Sequence, residues 1–538
     1  MNKASQLHPT GRSDHGVTVA EAVFAFMRQA GIDRIFGNPG STELPMFVDL
    51  PKDFDYVLGL QESIVIGMAD AYAQITDNAA FVNLHSAAGL GHAMGNLYTA
   101  FRNRAPLIVS TGQQVRELLP GDPFLFNEAP AEMAAPYVKW AVEPARAEDV
   151  PAAIQRAYFT AMTPPRGPVL VSVPLDDWAR RTHPLPPRGM RFGLGADPER
   201  LAELGRDIDA AQEVAIVVGP GVDADRAWRE VQDLAEKIQA KVWVAPMASR
   251  AGFPENHQNF AGFLPARQPA LSDCLSGADL VLVLGAPVFT YHFPGTPEHL
   301  PPDTKLWLVT DDPRQAAGAL TGTAMLADIR LAARGLAANC SPRPPLTGPA
   351  RHVPRVAVPD RITDAYLYQV LTDLRDPGSI VVEEAPTARD ALHDHFPITR
   401  PAGFFATASG GLGYGLPAAV GAALTRPGKT VIAPMGDGSS MYSIQALWSA
   451  AEHDADVFFV ILNNGGYGAL KGIAKLGQGR DVAGCEIGHL DFVSIAQAQG
   501  VPARRCDDPA ALPGIVKEML AQTGPRLLEV IQTPPAAT

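Results

Sequence analysis

The chain has 538 residues and a formal net charge of −13 at pH 7, with 44 Lys and Arg against 57 Asp and Glu. Hydrophobic residues make up 46% and charged residues 19%, a composition typical of globular proteins with large cores and not of disordered chains. The acidic balance disfavours general binding to a nucleic-acid backbone. At roughly 100–200 residues per domain, the length predicts about three domains.

The cysteine content and the length of the apolar runs indicate in which cellular compartment the protein is found. Four cysteines in 538 residues are too few for a disulfide framework, and their lack of CxxC spacing disfavours a structural zinc site. The N-terminal sequence MNKASQLHPTGRSDHG is polar and has no apolar signal region. The longest apolar runs, such as Leu280–Phe289, are too short to span a membrane and are typical of buried parallel strands. We therefore expect a cytoplasmic protein with neither a membrane nor a nucleic-acid partner.

The first segment, residues 1–185, alternates short apolar runs with amphipathic stretches, which is a parallel α/β pattern. Its helices are predicted at Ile64–Ala73 and from about Gly91 to Phe101. Its strands are predicted at Ile35–Phe36, Tyr56–Leu60, Ala80–Leu84, Leu107–Thr111 and Val169–Val173.

Two proline-rich stretches, His183–Arg191 and Ser341–Asp360, divide the remainder of the chain. They predict a second domain over residues 190–342, a semi-rigid linker over 343–360 and a third domain over 361–538. Strands of the second domain are predicted at Glu213–Val218, Lys241–Val244, Leu280–Leu284 and Leu306–Val309. Those of the third are predicted at Ser379–Val382, Thr430–Pro434, Val457–Asn463 and Leu527–Ile531. The predicted fold class is α/β, with three doubly wound parallel-sheet domains and ligands at the carboxyl ends of strands.

Two glycine-rich motifs follow predicted strands of the third domain. The first is GDGSS, Gly436–Ser440, and the second is NNGGYG, Asn463–Gly468. The Asp437 carboxylate, the Asn464 amide oxygen and the Gly466 carbonyl form a set of hard oxygen ligands that suits Mg²⁺, with phosphate and water completing its shell. The glycines would let backbone N–H groups approach a diphosphate. Either motif alone is more often an ordinary turn, but the pair at this spacing is more specific.

The pair resembles the GDG…NN signature of enzymes that depend on thiamine diphosphate and magnesium, in which Ca²⁺ can replace Mg²⁺. Their three domains, which are pyrimidine-binding, central and diphosphate-binding, match almost the whole chain. The resemblance implies that Glu62 activates the cofactor, although such a residue also stabilises a helix N-terminus. It implies that Leu412 holds the cofactor bent, although Leu412 could simply be core, and that Gly410 accepts a hydrogen bond from its amino group. Further cofactor contacts are expected from Thr387, Gly436, Gly438, Ser439, Tyr467 and Gly468.

Three polar residues lie in segments that resemble the benzoylformate decarboxylase branch of this family. They are Ser41 in FGNPGSTELP, His85 in FVNLHSAAG and His292 in GAPVFTYHF. By resemblance, Ser41 would bind a 2-oxo acid carboxylate and the two histidines would transfer protons. A lone histidine is more often a satisfied structural group, but both lie in matching segments. The resemblance implies decarboxylation of an aromatic 2-oxo acid, with benzoylformate as the first choice and aldehyde coupling as a side activity.

The sequence departs from this branch at the expected substrate pocket. Ile473 stands where the family has an aromatic residue, Cys485 replaces a leucine, and Pro386 replaces a threonine beside the diphosphate. Loss of a ring opens volume, so a different or bulkier 2-oxo acid is an open alternative. The predicted lining comprises Phe124, Leu125, Ala469, Leu470 and Ile473.

Three further alternatives stay open at this stage. The chain could be mainly a carboligase, or a non-catalytic protein that keeps the fold, although Glu62, Asp437 and Asn464 speak against the latter. In the central domain, GPGVDA at Gly219–Ala224 fits a dinucleotide-binding pattern weakly, without a persuasive ribose-binding acid.

Family members place the cofactor between two subunits. A homodimer is therefore the minimum expected, and a dimer of dimers is favoured.

Overall fold

The computed structural model describes residues 16–293, 295, 299–345, 351–426, 428–477 and 482–532. The polar residues 1–15 and part of the predicted linker, 346–350, lie outside these ranges. In the described residues, three six-stranded sheets follow one another along the chain, and every strand pair within them is parallel.

The first sheet has the strand order β3-β2-β4-β5-β7-β6. Its central strands are buried on both faces because helices cover both sides, as a parallel sheet requires. The strands are β2 Arg34–Gly37, β3 Asp55–Leu58, β4 Ala80–Leu84, β5 Leu107–Gln113, β6 Ala141–Val142 and β7 Val169–Pro174, with a separate antiparallel pair, β1 Val17–Thr18 and β8 Arg181–Thr182. The helices are α1 Val19–Gln29, α2 Leu44–Phe47, α3 Glu62–Thr76, α4 Ser86–Asn103, α5 Pro130–Ala134 and α6 Val150–Met162.

The central sheet has the order β11-β10-β9-β12-β13-β14, which is the arrangement of a doubly wound dinucleotide fold. Its strands are β9 Val214–Val218, β10 Lys241–Val244, β11 Phe260–Phe263, β12 Leu280–Leu284, β13 Lys305–Thr310 and β14 Thr323–Leu326. Its helices are α7 Pro198–Ala210, α8 Pro220–Ala224, α9 Trp228–Ile238, α10 Gln268–Cys274, α11 Pro313–Ala317 and α12 Ile329–Asn339.

The third sheet has the order β16-β15-β17-β18-β20-β19, the same topology as the first sheet. Its strands are β15 Ile380–Glu383, β16 Phe404–Ala406, β17 Val431–Gly436, β18 Val457–Asn463, β19 Ala503–Cys506 and β20 Arg526–Ile531. Its helices are α13 Asp364–Leu374, α14 Arg389–His395, α15 Gly415–Ala423, α16 Asp437–Ser440, α17 Ala446–Glu452, α18 Gly468–Gly477, α19 Phe492–Ala498 and α20 Leu512–Leu520.

Two details refine the sequence-based description. Within the apolar run Leu280–Phe289, strand β12 has its predicted bounds and ends at Leu284, and Gly285 then turns the chain with φ +64°. The GDGSS motif is not all loop, because Gly436 ends β17 and Asp437 begins the short helix α16. Seven short strands were missed, and several are edge strands whose exposed positions weaken the apolar pattern. They are β1, β6, β8, β11, β14, β16 and β19.

Helices α3 and α15 join the first and third sheets through a very close contact. A Cβ atom at Gly421 would lie 2.0 Å from the Met68 carbonyl oxygen, so only glycine allows the two backbones to approach this far. On the other helix, a Cβ at Gly67 would lie 2.6 Å from Cγ of Pro417. The two helices and their neighbours share one buried apolar cluster. This contact sets the position of Glu62, at the start of α3, relative to the chain that enters α15.

A buried polar group beside this contact is the carboxyl of Asp70, which is 1% exposed. It accepts hydrogen bonds from the Gln74 amide at 2.6 Å and the Tyr414 hydroxyl at 3.0 Å. The Asn103 amide donates to both carboxyl oxygens. Burial raises the pKa of Asp70 to about 6, although these hydrogen bonds oppose the rise.

This pKa predicts how stability depends on pH. The pKa of Asp70 in the folded protein lies above the ordinary value of 3.8. The contribution of this carboxyl to the free energy of unfolding is therefore complete below about pH 4 and is lost as the pH rises towards 6. The free energy of unfolding of the parent protein should therefore fall by about 3 kcal/mol relative to Asp70→Asn across that range. Urea unfolding at several pH values measures the difference. The exposed Asp49→Asn is the control, and parallel curves for Asp70→Asn and the parent would contradict the prediction.

Candidate active site

The two glycine-rich motifs of the third sheet meet at its carboxyl edge. Strands β17 and β18 are paired neighbours in parallel register, with Gly436 opposite Leu462, so the residues that follow them lie side by side. The Gly466 N–H lies 3.0 Å from Oδ2 of Asp437 and 3.2 Å from Oδ1 of Asn464. The predicted ligand residues Asp437, Asn464 and Gly466 are thus brought together.

The chemistry of this group suits a metal held jointly with a phosphorylated ligand. Asp437 is 3% exposed, and burial raises its pKa while backbone N–H groups, from Gly438 and from 464–466, lower it. Within the described residues it has no cationic partner. No group of three or more His, Cys, Asp and Glu there could hold a metal alone. One carboxylate, one amide and one carbonyl leave coordination positions for phosphate oxygens and water, as Mg²⁺ prefers.

Small residues keep space open around these ligands. A Cβ at Gly438 would lie 2.5 Å from the Tyr467 ring, and one at Gly468 would lie 3.0 Å from Oγ1 of Thr387. Thr387 therefore lies against the NNGGYG segment, directly after Pro386. The Ser439 hydroxyl donates to the Glu384 carbonyl at 2.6 Å and to that of Gly436 at 3.0 Å, so its hydrogen is already engaged.

The segment that leads into α15 carries two other predicted cofactor residues. Gly410 is exposed and has φ +73°, and a Cβ there would meet no atom within 4 Å. Leu412 is half-buried two residues later. An open main chain beside a partly exposed apolar side chain is compatible with a ligand on this side of the segment.

Glu62 lies at the N-terminus of α3, where it is 7% exposed. Its carboxylate lies 3.1 Å from Nδ1 of His92, and the Asn38 amide donates to it at 3.4 Å. Gly89 permits this packing, because a Cβ there would lie 3.0 Å from Oε1 of Glu62. Within the described part of the chain, Glu62 has no hydrogen bond or ion pair to Asp437 or its neighbours. That the two serve one site from different subunits stays a prediction.

His85 lies where β4 ends and is held by a carboxylate that sequence reasoning missed. Its Nδ1 is 2.9 Å from Oε2 of Glu43 and 3.2 Å from Oγ1 of Thr42. Glu43 is 1% exposed and also accepts the Gly40 N–H at 2.9 Å. This pairing fixes the imidazole through Nδ1 and leaves Nε2 for chemistry. Ser41 is exposed on the same loop, directly after Gly40, where a Cβ would clash with the His85 ring at 2.0 Å.

This arrangement predicts that Glu43 orients the base. In Glu43→Gln a neutral amide replaces the carboxylate that contacts Nδ1 and no longer fixes the orientation of the imidazole. We therefore expect kcat to fall about 100-fold, the lower end of what a positioned acid–base group contributes. Affinity for thiamine diphosphate should not change. Steady-state kinetics and cofactor titration separate the two quantities, with the exposed Glu148→Gln as the control. A weakened cofactor affinity with unchanged kcat would contradict the assignment.

His292 is not brought to this cluster by any contact within the described residues. It is exposed in the central domain after β12, where its N–H donates to the Ala266 carbonyl at 2.9 Å. Its ring packs on Phe293 with centroids 4.7 Å apart. Its catalytic role stays a prediction.

The predicted pocket lining consists largely of exposed apolar side chains. Phe124 is 86% exposed, Leu470 is 51% exposed and Ile473 is 37% exposed. Ala469, Leu470 and Ile473 lie on α18, and the latter two share one face. Leu125 has φ +67° in the loop beside Phe124. Exposed apolar side chains that share a helix face, as Leu470 and Ile473 do, commonly mark binding sites.

Cys485 differs from these residues because it is 2% exposed. Its carbonyl accepts the Tyr467 N–H at 2.9 Å, so it lies beneath the NNGGYG segment. The main chain at Cys485 thus supports the segment that carries the predicted ligands Asn464 and Gly466. A direct role in the substrate pocket stays a prediction.

Comparison with known proteins agrees with this geometry. Three models of the thiamine pyrophosphate enzymes match: the N-terminal binding domain at residues 17–131, the central domain at 201–336 and the C-terminal binding domain at 387–530. The chain belongs to the thiamine pyrophosphate enzyme family. Thiamine pyrophosphate is the same compound as thiamine diphosphate, so the predicted family and organic cofactor are confirmed.

Individual relatives show which branch of the family the chain resembles. Benzoylformate decarboxylase of Pseudomonas aeruginosa is 41% identical over 519 residues, covering 95% of this chain and 98% of the relative. The structure of a thiamine diphosphate-dependent 4-hydroxybenzoylformate decarboxylase from Rhodococcus jostii RHA1 is 40% identical, with TM-score 0.92 over 96% of this chain and 99% of that chain. Benzoylformate decarboxylase from Polynucleobacter necessarius is 36% identical, with TM-score 0.93 over the same shares. The predicted resemblance to the benzoylformate decarboxylase branch is confirmed.

Among the described helices, none combines the length and the apolarity that a membrane crossing needs.

Proposed function

We propose that the protein is a carboxy-lyase that converts benzoylformate and one proton into benzaldehyde and carbon dioxide. The observation that supports this proposal is the contact between the buried Glu43 carboxylate and Nδ1 of His85 at the end of β4, because it leaves Nε2 for proton transfer near the loop that carries the exposed Ser41. Thiamine diphosphate, when bound, supplies an electron sink for the bond that breaks as carbon dioxide leaves.

The roles of the chain's own residues follow from their positions. Asp437, Asn464 and the Gly466 carbonyl would hold Mg²⁺, which Ca²⁺ can replace, against the diphosphate. Glu62 would exchange a proton with the aminopyrimidine ring, and His85 would move protons at the substrate through Nε2. The Ser41 hydroxyl would donate to the substrate carboxylate, while His292 would reach the site from the central domain.

Assembly is part of the same proposal. The lack of a described contact between Glu62 and the Asp437 group supports a site completed by a second copy of the chain, and a dimer of dimers would contain four such sites. We also propose a cytoplasmic location, in line with the acidic composition and the cysteine content.

A kinetic panel tests the reaction. Carbon dioxide release and aldehyde formation are measured for benzoylformate, 4-hydroxybenzoylformate and branched aliphatic 2-oxo acids, with Mg²⁺ and thiamine diphosphate supplied. We expect decarboxylation of the aryl acids to dominate, with slower aldehyde coupling. Fast coupling of aldehydes without release of carbon dioxide from any aryl acid would instead establish a carboligase.

Ile473 predicts a deviation in substrate preference. It stands where the family has an aromatic side chain, and its 37% exposure places it at the open face of α18. Ile473→Phe should shift the ratio of kcat/KM for benzoylformate against a branched aliphatic acid by about tenfold towards the aryl acid, as one apolar contact typically does. Val482→Phe, also exposed and apolar, is the control. An unchanged ratio would remove Ile473 from the pocket.

A further inference from the structure

Glu384 is a buried acidic residue that the roles above do not use. It directly follows β15 and is 1% exposed. Its neighbour Glu383 is equally buried but pairs with the Arg389 guanidinium at 2.6 Å. Glu384 has no such cation within the described residues. A buried carboxylate without a cation needs other donors, because desolvation of the charge is costly.

The donors are backbone N–H groups of the segment that enters α15. Gly413 donates to one carboxyl oxygen at 2.5 Å, Gly415 donates to the other, and Tyr414 contributes a third N–H. Gly415 begins α15, so the carboxylate also lies at the positive end of that helix. Burial raises the pKa of Glu384 to about 8, against the opposing effect of these N–H groups.

The main chain of the same residue binds the other half of the cofactor site. The Glu384 carbonyl accepts the Gly436 N–H at 3.0 Å and the Ser439 hydroxyl at 2.6 Å. Both donors belong to the GDGSS motif around Asp437. One residue therefore connects the segment that carries Leu412 to the segment that carries the metal ligand.

The segment has separate attachments to the first domain. The Asn96 amide donates to the Gly413 carbonyl at 3.0 Å, and the Tyr414 hydroxyl donates to Asp70 at 3.0 Å. These bonds hold the segment to α3 and α4 and would survive a change at Glu384. Loss of the Glu384 carboxylate would then leave the segment folded but no longer fixed against GDGSS.

We propose that Glu384 is a positioning residue for thiamine diphosphate: its carboxylate sets the Gly410–Tyr414 segment at a fixed distance from the diphosphate-binding motif. The inference rests on the proposed function, because it takes Leu412 and Asp437 as the residues at the two ends of the cofactor. An ionised carboxylate accepts from Gly413 and Gly415 with separate oxygens. An amide accepts with only one and would oppose the second donor with its own N–H groups.

The test uses Glu384→Gln with Glu383→Gln as a matched control of the same type and burial. The dissociation constant of thiamine diphosphate is measured on the cofactor-free full chain by calorimetry at saturating Mg²⁺. A pH of about 8.5 keeps the Glu384 carboxyl largely ionised. For Glu384→Gln we expect a rise of about tenfold or more, with a lower kcat and a KM for benzoylformate within about twofold of the parent value. Glu383→Gln should lose stability without this loss of cofactor affinity.

Two further variants keep the test decisive. Glu384→Asp retains the charge but moves the carboxylate away from Gly413 and Gly415, because its side chain is shorter. We expect it to fold and to show an intermediate cofactor affinity. This variant tests the inference if Glu384→Gln does not fold. Cofactor affinity equal to the parent in Glu384→Asp, or in a folded Glu384→Gln, overturns the inference, as does an equal loss in Glu383→Gln. Asp437→Asn distinguishes failure of this inference from failure of the proposed function. If this variant also binds thiamine diphosphate normally, the proposed cofactor site itself is wrong.

Discussion

Glu62→Gln is expected to lower kcat by roughly 10³–10⁴-fold, in the upper part of the range for general acid–base catalysis, while thiamine diphosphate still binds. Glu62 is buried at the start of α3, where its carboxylate meets the Asn38 amide and the His92 imidazole. Glutamine keeps the size and one acceptor oxygen but cannot take up a proton. Turnover of benzoylformate and calorimetric cofactor binding on the same preparation measure the two effects separately.

The exposed Glu148→Gln, in the same domain, removes an equal charge without touching the site and should behave like the parent protein. A Glu62→Gln variant that binds the cofactor and turns over at a near-normal rate would refute the activation role. If the variant does not bind the cofactor and its unfolding temperature differs from that of the parent protein, Glu62 has a structural role instead.

The strands that the sequence predicted best are the ones that lie inside the sheets. Ala80–Leu84, Lys241–Val244, Leu280–Leu284 and Val457–Asn463 have the bounds predicted for them. Each is a run of mostly apolar residues, and burial on both faces of a parallel sheet demands such a run. Edge strands such as Thr323–Leu326 were missed because most of their residues are exposed, with only Met325 buried in this strand, and the remaining apolar signal is too short to recognise.

That the predicted metal ligands lie close together was predictable for a similar reason. Asp437 and Asn464 follow strands that pair directly, so a reading of strand ends already places them together. Glu43 was not found because its function arises from contact with His85, 42 residues along the chain. The S-T-E order after Gly40 held the only local signal, and it is shared by many helix N-termini.

The first and third sheets share one topology, and each carries predicted site residues after the carboxyl ends of its strands. Glu62 and His85 follow β3 and β4, and Asp437 and Asn464 follow β17 and β18. Of these strands, β4 and β17 occupy the same place in the shared strand order. The Asn96 amide links the two halves within one chain, because it donates to the Ser63 carbonyl beside Glu62 and to the Gly413 carbonyl beside Leu412. The Tyr414 hydroxyl, which donates to Asp70, is a second link between the two halves.

Asp437→Asn is expected to weaken Mg²⁺ binding in the presence of thiamine diphosphate by more than about 100-fold, since loss of an outer-shell partner of a metal site alone costs 10–100-fold. Asp437 supplies the carboxylate of the predicted ligand set, and no other Asp or Glu joins that set in the described residues. An amide keeps the shape and the hydrogen bond from Gly466 but not the charge that offsets the metal. Turnover at limiting Mg²⁺ should be lost and should return only in part at high Mg²⁺.

The measurement is a Mg²⁺ titration followed by cofactor binding heat, repeated with Ca²⁺ in place of Mg²⁺. The exposed Asp454→Asn, in the same domain, removes an equal charge away from the site and should titrate like the parent protein. A variant that binds Mg²⁺ as tightly as the parent would place the metal elsewhere, whereas weakened Mg²⁺ binding in a folded variant is the result expected for a metal ligand.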